Sequence, residues 1–240
     1  MLRKGQGTYL GKAWLFLDPL FQILIYALVF GVILKVSRGI DNYIGFLAIG
    51  VVFFGFFRTA ISEGSSALPR TKNITDTFRM PEAAALLSSA LKQFADGILP
   101  AIICIISALA LQYPNVWHWE ILWIIPLYLI IHTFGLGLGF YIARITKWIP
   151  DFKPIFTLLT RGLFFVSGVF FSIDRFDAHP ALASAVELNP VYQFLMAARL
   201  CIISGVTPPS ETWIYLMTVS TALAATGYLF FWKGEQIHGA

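Results

Sequence analysis

The residues of this chain that could do chemistry form no recognisable catalytic set. The sequence has no HExxH zinc motif, no paired carboxylates and no GxxxxGK[ST] phosphate loop. Ser167 is followed by Gly168, but Phe165 stands where an intramembrane serine hydrolase would need a glycine. Cys104 and Cys201 lie far apart among apolar residues, which favours helix packing over a disulfide or a metal site. If this protein uses ATP, a partner chain must bind it.

A polar segment at residues 73–82 (NITDTFRMPE) is the sequence feature that points most directly to a function. It lies between two long apolar segments, carries charges of both signs and ends in Met80-Pro81-Glu82. A loop that only reverses the chain needs a few residues, whereas this segment is longer and mixes polar with apolar side chains. It therefore predicts a docking surface for a partner protein.

The composition places these residues in a membrane protein. The chain has 240 residues, of which 58% are hydrophobic and 12% are charged, whereas about 25% of residues are charged in ordinary soluble domains. About 20 apolar residues are needed to cross a hydrocarbon core of about 30 Å. We predict an all-α integral membrane protein that forms a single domain over residues 1–240. Its six predicted spans are residues 14–34, 43–61, 84–111, 121–143, 154–173 and 212–232.

The distribution of basic residues predicts the orientation. With both termini on one side, that side holds ten lysines and arginines outside the spans and the opposite side holds four. The positive-inside rule then places both termini and residues 73–82 in the cytoplasm. The net charge of +4 is thus a topology signal, because nucleic-acid binding would need a clustered basic face.

The long connection before the last span differs from the other loops. Residues 174–211 are moderately apolar and contain Arg199, and their apolar stretch, residues 191–206, is too short to cross. Such a segment predicts a re-entrant or interfacial helical hairpin on the outer side.

Ionisable residues within or near the spans leave two interpretations open. Lys92 and Asp96 are four residues apart and can pair on one helix face, whereas Arg58 and Glu63 are five apart and pair less well. They either pair locally and snorkel or line a polar vestibule, because charges at membrane depth normally face a bundle interior or an aqueous path. Two further ionisable residues in the spans are His132 and Arg161. For the histidine, a packed and hydrogen-bonded residue is favoured over a proton relay.

Aromatic residues are abundant, with 22 Phe, 9 Tyr and 7 Trp. Many would simply face lipid. The alternative is an aromatic channel lining, since the C–H faces of sugar rings stack on aromatic rings without a tight site. The channel-lining candidates are Tyr26, Phe30, Phe164, Phe165, Phe170 and Phe171.

The order of several short motifs along nearly the whole chain is familiar. They are YLGKAW at residues 9–14, Asp18-Pro19-Leu20, Tyr26, Phe30, Phe54, Phe56, Phe57, the loop at residues 70–81, Asp151, Ser167-Gly168, Phe170-Phe171, Leu188-Asn189-Pro190 and Arg199. In these motifs the chain resembles the membrane subunits of ATP-binding-cassette exporters for cell-surface polysaccharides, namely the O-antigen, teichoic-acid and mycobacterial galactan export permeases. It departs from them at Pro150, where the family often has the arginine of an Arg-Asp pair, and in its short region before the first span.

The resemblance implies a homodimeric, channel-forming permease in the bacterial cytoplasmic membrane that exports a lipid-linked polysaccharide. The chain would not itself be an enzyme and would bind no cofactor. Two copies of a cytoplasmic ATPase would bind ATP and Mg²⁺ beneath it. The resemblance also implies that residues 73–82 form a cytoplasmic coupling helix. The implied coupling residues are Asn73, Ile74, Thr77, Phe78, Arg79, Met80, Pro81 and Glu82, and the implied secondary contacts are Lys147, Asp151 and Lys153.

Three alternatives compete with this interpretation. An ATP-dependent permease for drugs or lipids shares the six-span plan. An intramembrane enzyme would need polar catalytic groups converging at one depth, and the sequence offers no convincing set. A secondary transporter would have acidic residues or broken helices near the midplane, whereas the charges here are predicted to lie toward the cytoplasmic ends of the spans.

Overall fold

The computed structural model describes residues 14–26, 28–29, 42–78, 80–112, 118–172 and 180–238. Within these ranges the chain is helical and has no β-strand, which confirms the all-helical prediction for them. The helices are α1 (Trp14–Tyr26), α2 (Tyr43–Phe78), α3 (Glu82–Ala110), α4 (Ile124–Trp148), α5 (Phe152–Val166), α6 (Pro180–Glu187), α7 (Pro190–Arg199) and α8 (Ser210–His238). A 3₁₀ turn (Trp119–Trp123) precedes α4, and a π-helical turn (Leu200–Ser204) continues α7.

Four helices of the described part are long and apolar enough to cross a membrane. They contain the segments Tyr43–Asn73, Glu82–Ala110, Trp119–Trp148 and Ser210–Glu235, and they correspond to the second, third, fourth and sixth predicted spans. The described helices α1 and α5 have 13 and 15 residues, fewer than the roughly 20 that a full crossing requires.

Helix α2 is longer than the predicted span at residues 43–61. Its 36 residues continue through the polar region to Phe78, so that residues 73–78 are its last turns and not part of a separate short helix. The polar side chains here do not interrupt the helix, because they form ion pairs and hydrogen bonds with other residues of the same helix. Arg70 pairs with Glu63 at 3.0 Å, and the hydroxyl of Thr71 donates to the carbonyl of Ala67 at 2.9 Å.

Asn42 fixes the start of α2. Its Oδ1 accepts from the backbone N–H of Gly45 at 2.9 Å, as an N-cap does, and its Nδ2 donates to the carbonyl of Ala108 at 3.0 Å. The start of α2 is thereby attached to the end of α3. These two helix ends, together with Arg199, define what we call the Asn42 end of the molecule. The Glu82 end, defined by Glu82 and Lys147, is where α2 and α4 finish and α3 begins.

Glycines let the helix backbones approach closely. A Cβ on Gly137 of α4 would lie 2.7 Å from the backbone nitrogen of Ala224 in α8, and a Cβ on Gly64 of α2 would lie 2.9 Å from the Cα of Gly139. Small residues at such contacts are typical of membrane helix pairs. Gly137 thus allows α4 and α8 to pack closely.

Interlocking aromatic rings fill the core between α2, α4 and α7. The buried ring of Phe57 lies 5.7 Å from that of Phe134 and 5.5 Å from that of Phe194. Since rings at these separations contribute about 0.5–1.5 kcal/mol per pair beyond burial alone, this cluster fixes α7 against α2 and α4.

Helix α5 ends before the predicted span at residues 154–173 does. Its last residue is Val166, and Gly168 adopts a left-handed conformation with φ of 66°. A Cβ at Gly168 would also lie 2.7 Å from the ring of Tyr192. The backbone turn and the ring of Tyr192 packed against it together explain why the helix stops there.

We predict that Gly137→Ala lowers the free energy of unfolding by about 1–3 kcal/mol, because the added methyl group overpacks the contact between α4 and α8. The measurement is thermal or denaturant-induced unfolding of the detergent-solubilised protein. Gly55→Ala is the matched control, since no atom lies within 4 Å of a Cβ built there. Equal stability changes in the two variants would contradict the close-packing role.

Candidate coupling surface and channel face

Exposed apolar side chains mark the connection between α2 and α3. The side chain of Phe78, the last residue of α2, is 70% exposed, and that of Met80 is 48% exposed. The backbone N–H of Met80 donates to the carbonyl of Thr75 at 3.1 Å, which holds the connection against the end of α2. We call this connection, Phe78 to Pro81, the α2–α3 link.

The other predicted coupling residues lie on either side of these two. Asn73 and Thr77 are exposed on α2, where the Thr77 hydroxyl donates to the carbonyl of Asn73 at 2.6 Å. Pro81 is the N-cap residue of α3. Arg79 and the side chain of Ile74 lie outside the described residues.

Glu82 fixes the start of α3 to two other helices. Its carboxylate accepts from Nζ of Lys147 on α4 at 2.7 Å. Its backbone N–H donates at 2.6 Å to Oε1 of Glu235 on α8. Since Pro81 provides no side-chain cap, Glu235 takes over that function from a distant part of the sequence. We call these three residues the Glu82 bracket.

Arg144 is buried close to this bracket. Its guanidinium carbon lies 4.2 Å from the centroid of the Trp148 ring, and its residue exposure is 2%. Gly234 makes room for it, because any side chain at that position would overlap the guanidinium group. The close fit of Arg144 between α4 and α8 keeps the bracket in one arrangement.

The predicted secondary contact divides into two parts. Lys147 joins the Glu82 bracket, so the structure connects it directly with the predicted coupling residues. Asp151 and Lys153 are exposed at the start of α5, and the side chain of Asp151 makes no capping hydrogen bond there.

An aromatic cluster surrounds the end of α5. The Phe164 ring lies 5.0 Å from those of Phe54 and Phe170. Tyr26 of α1 joins the cluster with its ring 6.0 Å from that of Phe170. The side chain of Phe165 is 61% exposed. The remaining lining candidates are Phe171, which is half-buried, and Phe30, which lies outside the described residues.

Arg199 holds the turn that follows this cluster. Its Nη1 donates to the carbonyl of Gly168 at 2.9 Å, and its Nη2 donates to those of Val169 at 3.1 Å and Phe46 at 3.3 Å. Its guanidinium carbon also lies 3.3 Å from the centroid of the Phe46 ring. One buried cation therefore connects α7, α2 and the turn after α5.

Asn189 completes this connection. Its Oδ1 accepts from the N–H of Val191 at 3.0 Å and caps α7, while its Nδ2 donates to the Ser167 hydroxyl at 3.0 Å. The Asn-Pro…Arg motif thus has a physical explanation, since both of its polar side chains bind the end of α5. We call the contacts of Asn189 and Arg199 the Arg199 bracket.

The two local pairs considered from the sequence, Lys92 with Asp96 and Arg58 with Glu63, are not formed in the described part of the structure. Glu63 accepts from Arg70 and from the hydroxyl of Ser89 on α3, at 2.8 Å in the latter case, and not from Arg58. Within the described ranges, no ion pair joins Lys92 to Asp96.

His132 is packed and hydrogen-bonded, as predicted. Its Nδ1 lies 2.9 Å from the carbonyl oxygen of Tyr128, and the rings of Phe56 and Phe94 flank it at 5.3 and 5.2 Å.

The sequence comparisons agree with this geometry. A family model for the ABC-2 type transporter matches residues 1–203 of the chain. The chain therefore belongs to the ABC-2 type transporter family, and with its four helices of spanning length it is a multi-pass membrane permease. It is 25% identical over 234 residues to the O-antigen export system permease protein RfbA of Myxococcus xanthus, a match that covers 97% of this chain and 85% of that protein.

We predict that Arg199→Met strongly destabilises the protein, by about 3 kcal/mol or more, because it leaves buried carbonyls without their charged donor. The measurement is the thermal unfolding temperature in detergent, together with the rate of proteolysis near Gly168. Arg70→Met is the control, since the exposed ion pair it removes contributes at most about 1 kcal/mol. Similar behaviour of the two variants would contradict the role of the Arg199 bracket.

Proposed function

We propose that this chain is the channel-forming permease subunit of an exporter that moves a lipid-linked polysaccharide out across the bacterial cytoplasmic membrane. ATP hydrolysis in a separate subunit drives the movement. The observation that carries the proposal is the family match together with the exposed apolar α2–α3 link, which rests on a fixed base. The Glu82 end faces the cytoplasm, in accord with its excess of basic residues.

The polysaccharide is supported by two independent observations. The relative from Myxococcus xanthus is named as an O-antigen export permease, and the match covers nearly the whole of this chain. The aromatic cluster at the end of α5 provides ring faces on which sugars stack, with Phe165 outermost. Loose and repeated contacts of this kind suit a polymer that slides past better than a compact solute that must be held.

The α2–α3 link is the contact with the ATPase in this proposal. Phe78 and Met80 form its apolar centre, and the exposed polar residues Asn73 and Thr77 lie beside them on α2. Exposed aromatic and methionine side chains are typical anchors at protein interfaces. The Glu82 bracket then transmits the motion, since a displacement of the start of α3 pulls α4 and α8 with it.

In this proposal, a second copy of the chain faces the outward sides of α1 and α5 across the channel. Helix α5 exposes Ile155, Leu158 and Leu159, and Thr160 is its one fully buried residue. Helix α1 exposes Phe21 and Leu24 on its described part. Two such faces related by twofold symmetry would enclose the channel.

The six-span topology with both termini in the cytoplasm completes the proposal. In this topology the first and fifth spans include α1 and α5, and the re-entrant hairpin on the outer side contains α6 and α7. The buried residues of α7 and its attachment through the Arg199 bracket support a hairpin that lies within the bundle.

We predict that Phe78→Ser and Met80→Ser each weaken capture of the co-expressed ATPase about tenfold, as expected when an interface anchor is lost. The measurement is the affinity of the ATPase for the tagged permease in detergent or nanodiscs. Leu188→Ser is the matched control, because Leu188 is 71% exposed but lies outside the link. The proposal fails if no ATPase is captured by the unmodified chain, or if the control weakens capture equally.

We further predict that Glu235→Ala uncouples the transporter without releasing the ATPase. The start of α3 loses its cap, worth about 0.5–2 kcal/mol, while the exposed side chains of the link remain. The expected result is unchanged ATPase capture with a several-fold lower stimulation of ATP hydrolysis by the lipid-linked substrate. Glu211→Ala, in the first turn of the same helix, is the control. Normal stimulation in the Glu235 variant would contradict the transmission step.

A further inference from the structure

Two arginines are exposed along the middle of the bundle, on neighbouring helices. Arg58 belongs to α2 and Arg161 to α5, and both residues are exposed. Charged side chains within membrane spans are costly and normally face protein or an aqueous path. Their exposure therefore requires an explanation that neither the coupling surface nor the aromatic cluster supplies.

The helix register places the two arginines at the same level. Phe54 of α2 and Phe164 of α5 are in edge contact, with ring centroids 5.0 Å apart. The two helices run in opposite directions, because α5 follows the turn after α4 at the Glu82 end and finishes beside Arg199. Arg58 follows Phe54 by four residues and Arg161 precedes Phe164 by three, so each lies about one helical turn from that contact toward the Glu82 end.

This level is deep within the membrane. Arg58 lies fifteen residues after Tyr43, which is about 22 Å along α2 from its start at 1.5 Å per residue. Toward the other end, Gly64 contacts Gly139 of the parallel helix α4, and Lys147 follows on α4. The same rise places Arg58 about 20 Å from the Glu82–Lys147 ion pair. Arg58 is therefore near the midpoint of its span.

No carboxylate neutralises either guanidinium in the part of the chain that the structure describes. The nearest acidic residue in the sequence of α2 is Glu63, and its carboxylate is bound by Arg70 and Ser89. The guanidinium hydrogen-bond donors of the two arginines are thus available to a ligand.

The surface around them is open. Apart from adjacent residues and the backbone of the same helix, no atom lies within 4 Å of a Cβ built on Gly55, which is about one turn from Arg58, or on Gly162, which follows Arg161. This open surface lies on the face of α5 that we assign to the channel, so the inference that follows rests on the proposed function.

We propose that Arg58 and Arg161 form an oxyanion site in the channel wall, and that its ligand is the phosphate group of a phosphorylated lipid that belongs to the exported substrate. Guanidinium groups bind phosphate through paired hydrogen bonds. A ligand that reaches this depth must combine an anion with an apolar body. A diphosphate ester has enough oxygens to accept paired hydrogen bonds from both guanidinium groups at once, whereas a carboxylate has only two.

The site would act on the head group and not on the polymer. The aromatic cluster begins one turn away, at Phe54 and Phe164, on the side toward the Asn42 end. A lipid phosphate bound to the two arginines would place the attached sugars against these rings. The pair therefore distinguishes a phosphorylated carrier from an uncharged one before sugar stacking begins.

The test measures binding to the permease alone in nanodiscs of phosphatidylcholine, so that it does not depend on the ATPase. The probes are geranylgeranyl diphosphate, the uncharged geranylgeraniol and the ordinary anionic lipid phosphatidylglycerol. We expect the diphosphate to bind with clear preference over both. Arg58→Gln and Arg161→Gln should each weaken its binding about tenfold or more, and Arg58→Lys should weaken it less, because it keeps the charge.

Lys92→Gln is the matched control, since it removes one exposed positive charge from a different span. An equal loss in this control would overturn the proposal, as would unchanged binding in both arginine variants. Arginine-dependent binding of phosphatidylglycerol with the same affinity would show that the site takes any anionic lipid, and would overturn its assignment to the substrate. If the glutamine variants are less thermally stable than the unmodified protein, the test is the Arg58→Lys variant. Diphosphate binding that is weaker than in the unmodified protein supports the site, and unchanged binding contradicts a requirement for the guanidinium group. Loss of the site with intact ATPase capture would leave the proposed function standing.

Discussion

The need to satisfy backbone carbonyls inside an apolar bundle is the constraint on which the rest of this structure depends. In lipid, a carbonyl without a donor costs several kcal/mol, so a broken helix survives only where other protein groups supply the donors. Here α5 breaks at Ser167-Gly168, and Arg199 donates to the carbonyls of Gly168 and Val169. The break is what ends α5 beneath the aromatic cluster. Without the buried guanidinium, neither the turn nor the position of Phe170 could be maintained.

At the Glu82 end, backbone N–H groups at the start of α3 also need hydrogen-bond partners, and partly exposed charged side chains supply them. The start of α3 has free N–H groups, as every helix does, and Glu235 accepts from one of them. The salt bridge between Glu82 and Lys147 is about one third exposed on each side, so its own contribution to stability is small. Its value is geometric, because it makes three helices meet where the α2–α3 link emerges. A rigid base of this kind allows the exposed link to transmit force.

The sequence predicts some of these features well because they depend on local physics. Long apolar runs identify the four helices of spanning length, and an isolated histidine in an apolar helix is packed and hydrogen-bonded. Other features depend on partners far along the chain. Glu235 lies 153 residues from the N–H that it caps, and nothing around it in the sequence marks it as a cap. The end of α5 at Val166 depends on Tyr192 and Arg199, so an apolar run that continues to residue 173 predicts a longer helix. Likewise, α2 continues to Phe78 because its polar side chains form hydrogen bonds and ion pairs within the helix. A prediction from hydropathy does not include these contacts and therefore ends the helix too early.

The same requirement for charged partners applies at both ends of the molecule. Three buried or half-buried charges have defined partners: Arg199 has carbonyls, Arg144 has the Trp148 ring, and Glu63 has Arg70 and Ser89. In the described part of the chain, Arg58 and Arg161 have no such partner, although their level is deep within the membrane. A structural explanation would require them to stabilise a contact, and their exposure argues against that. A functional explanation requires only that the exported substrate supplies the anionic group that binds them. A charge within a bilayer needs a polar or charged partner, and this rule accounts for the contacts of Arg199 and Glu63. The same rule indicates that Arg58 and Arg161 bind an anionic group of the substrate.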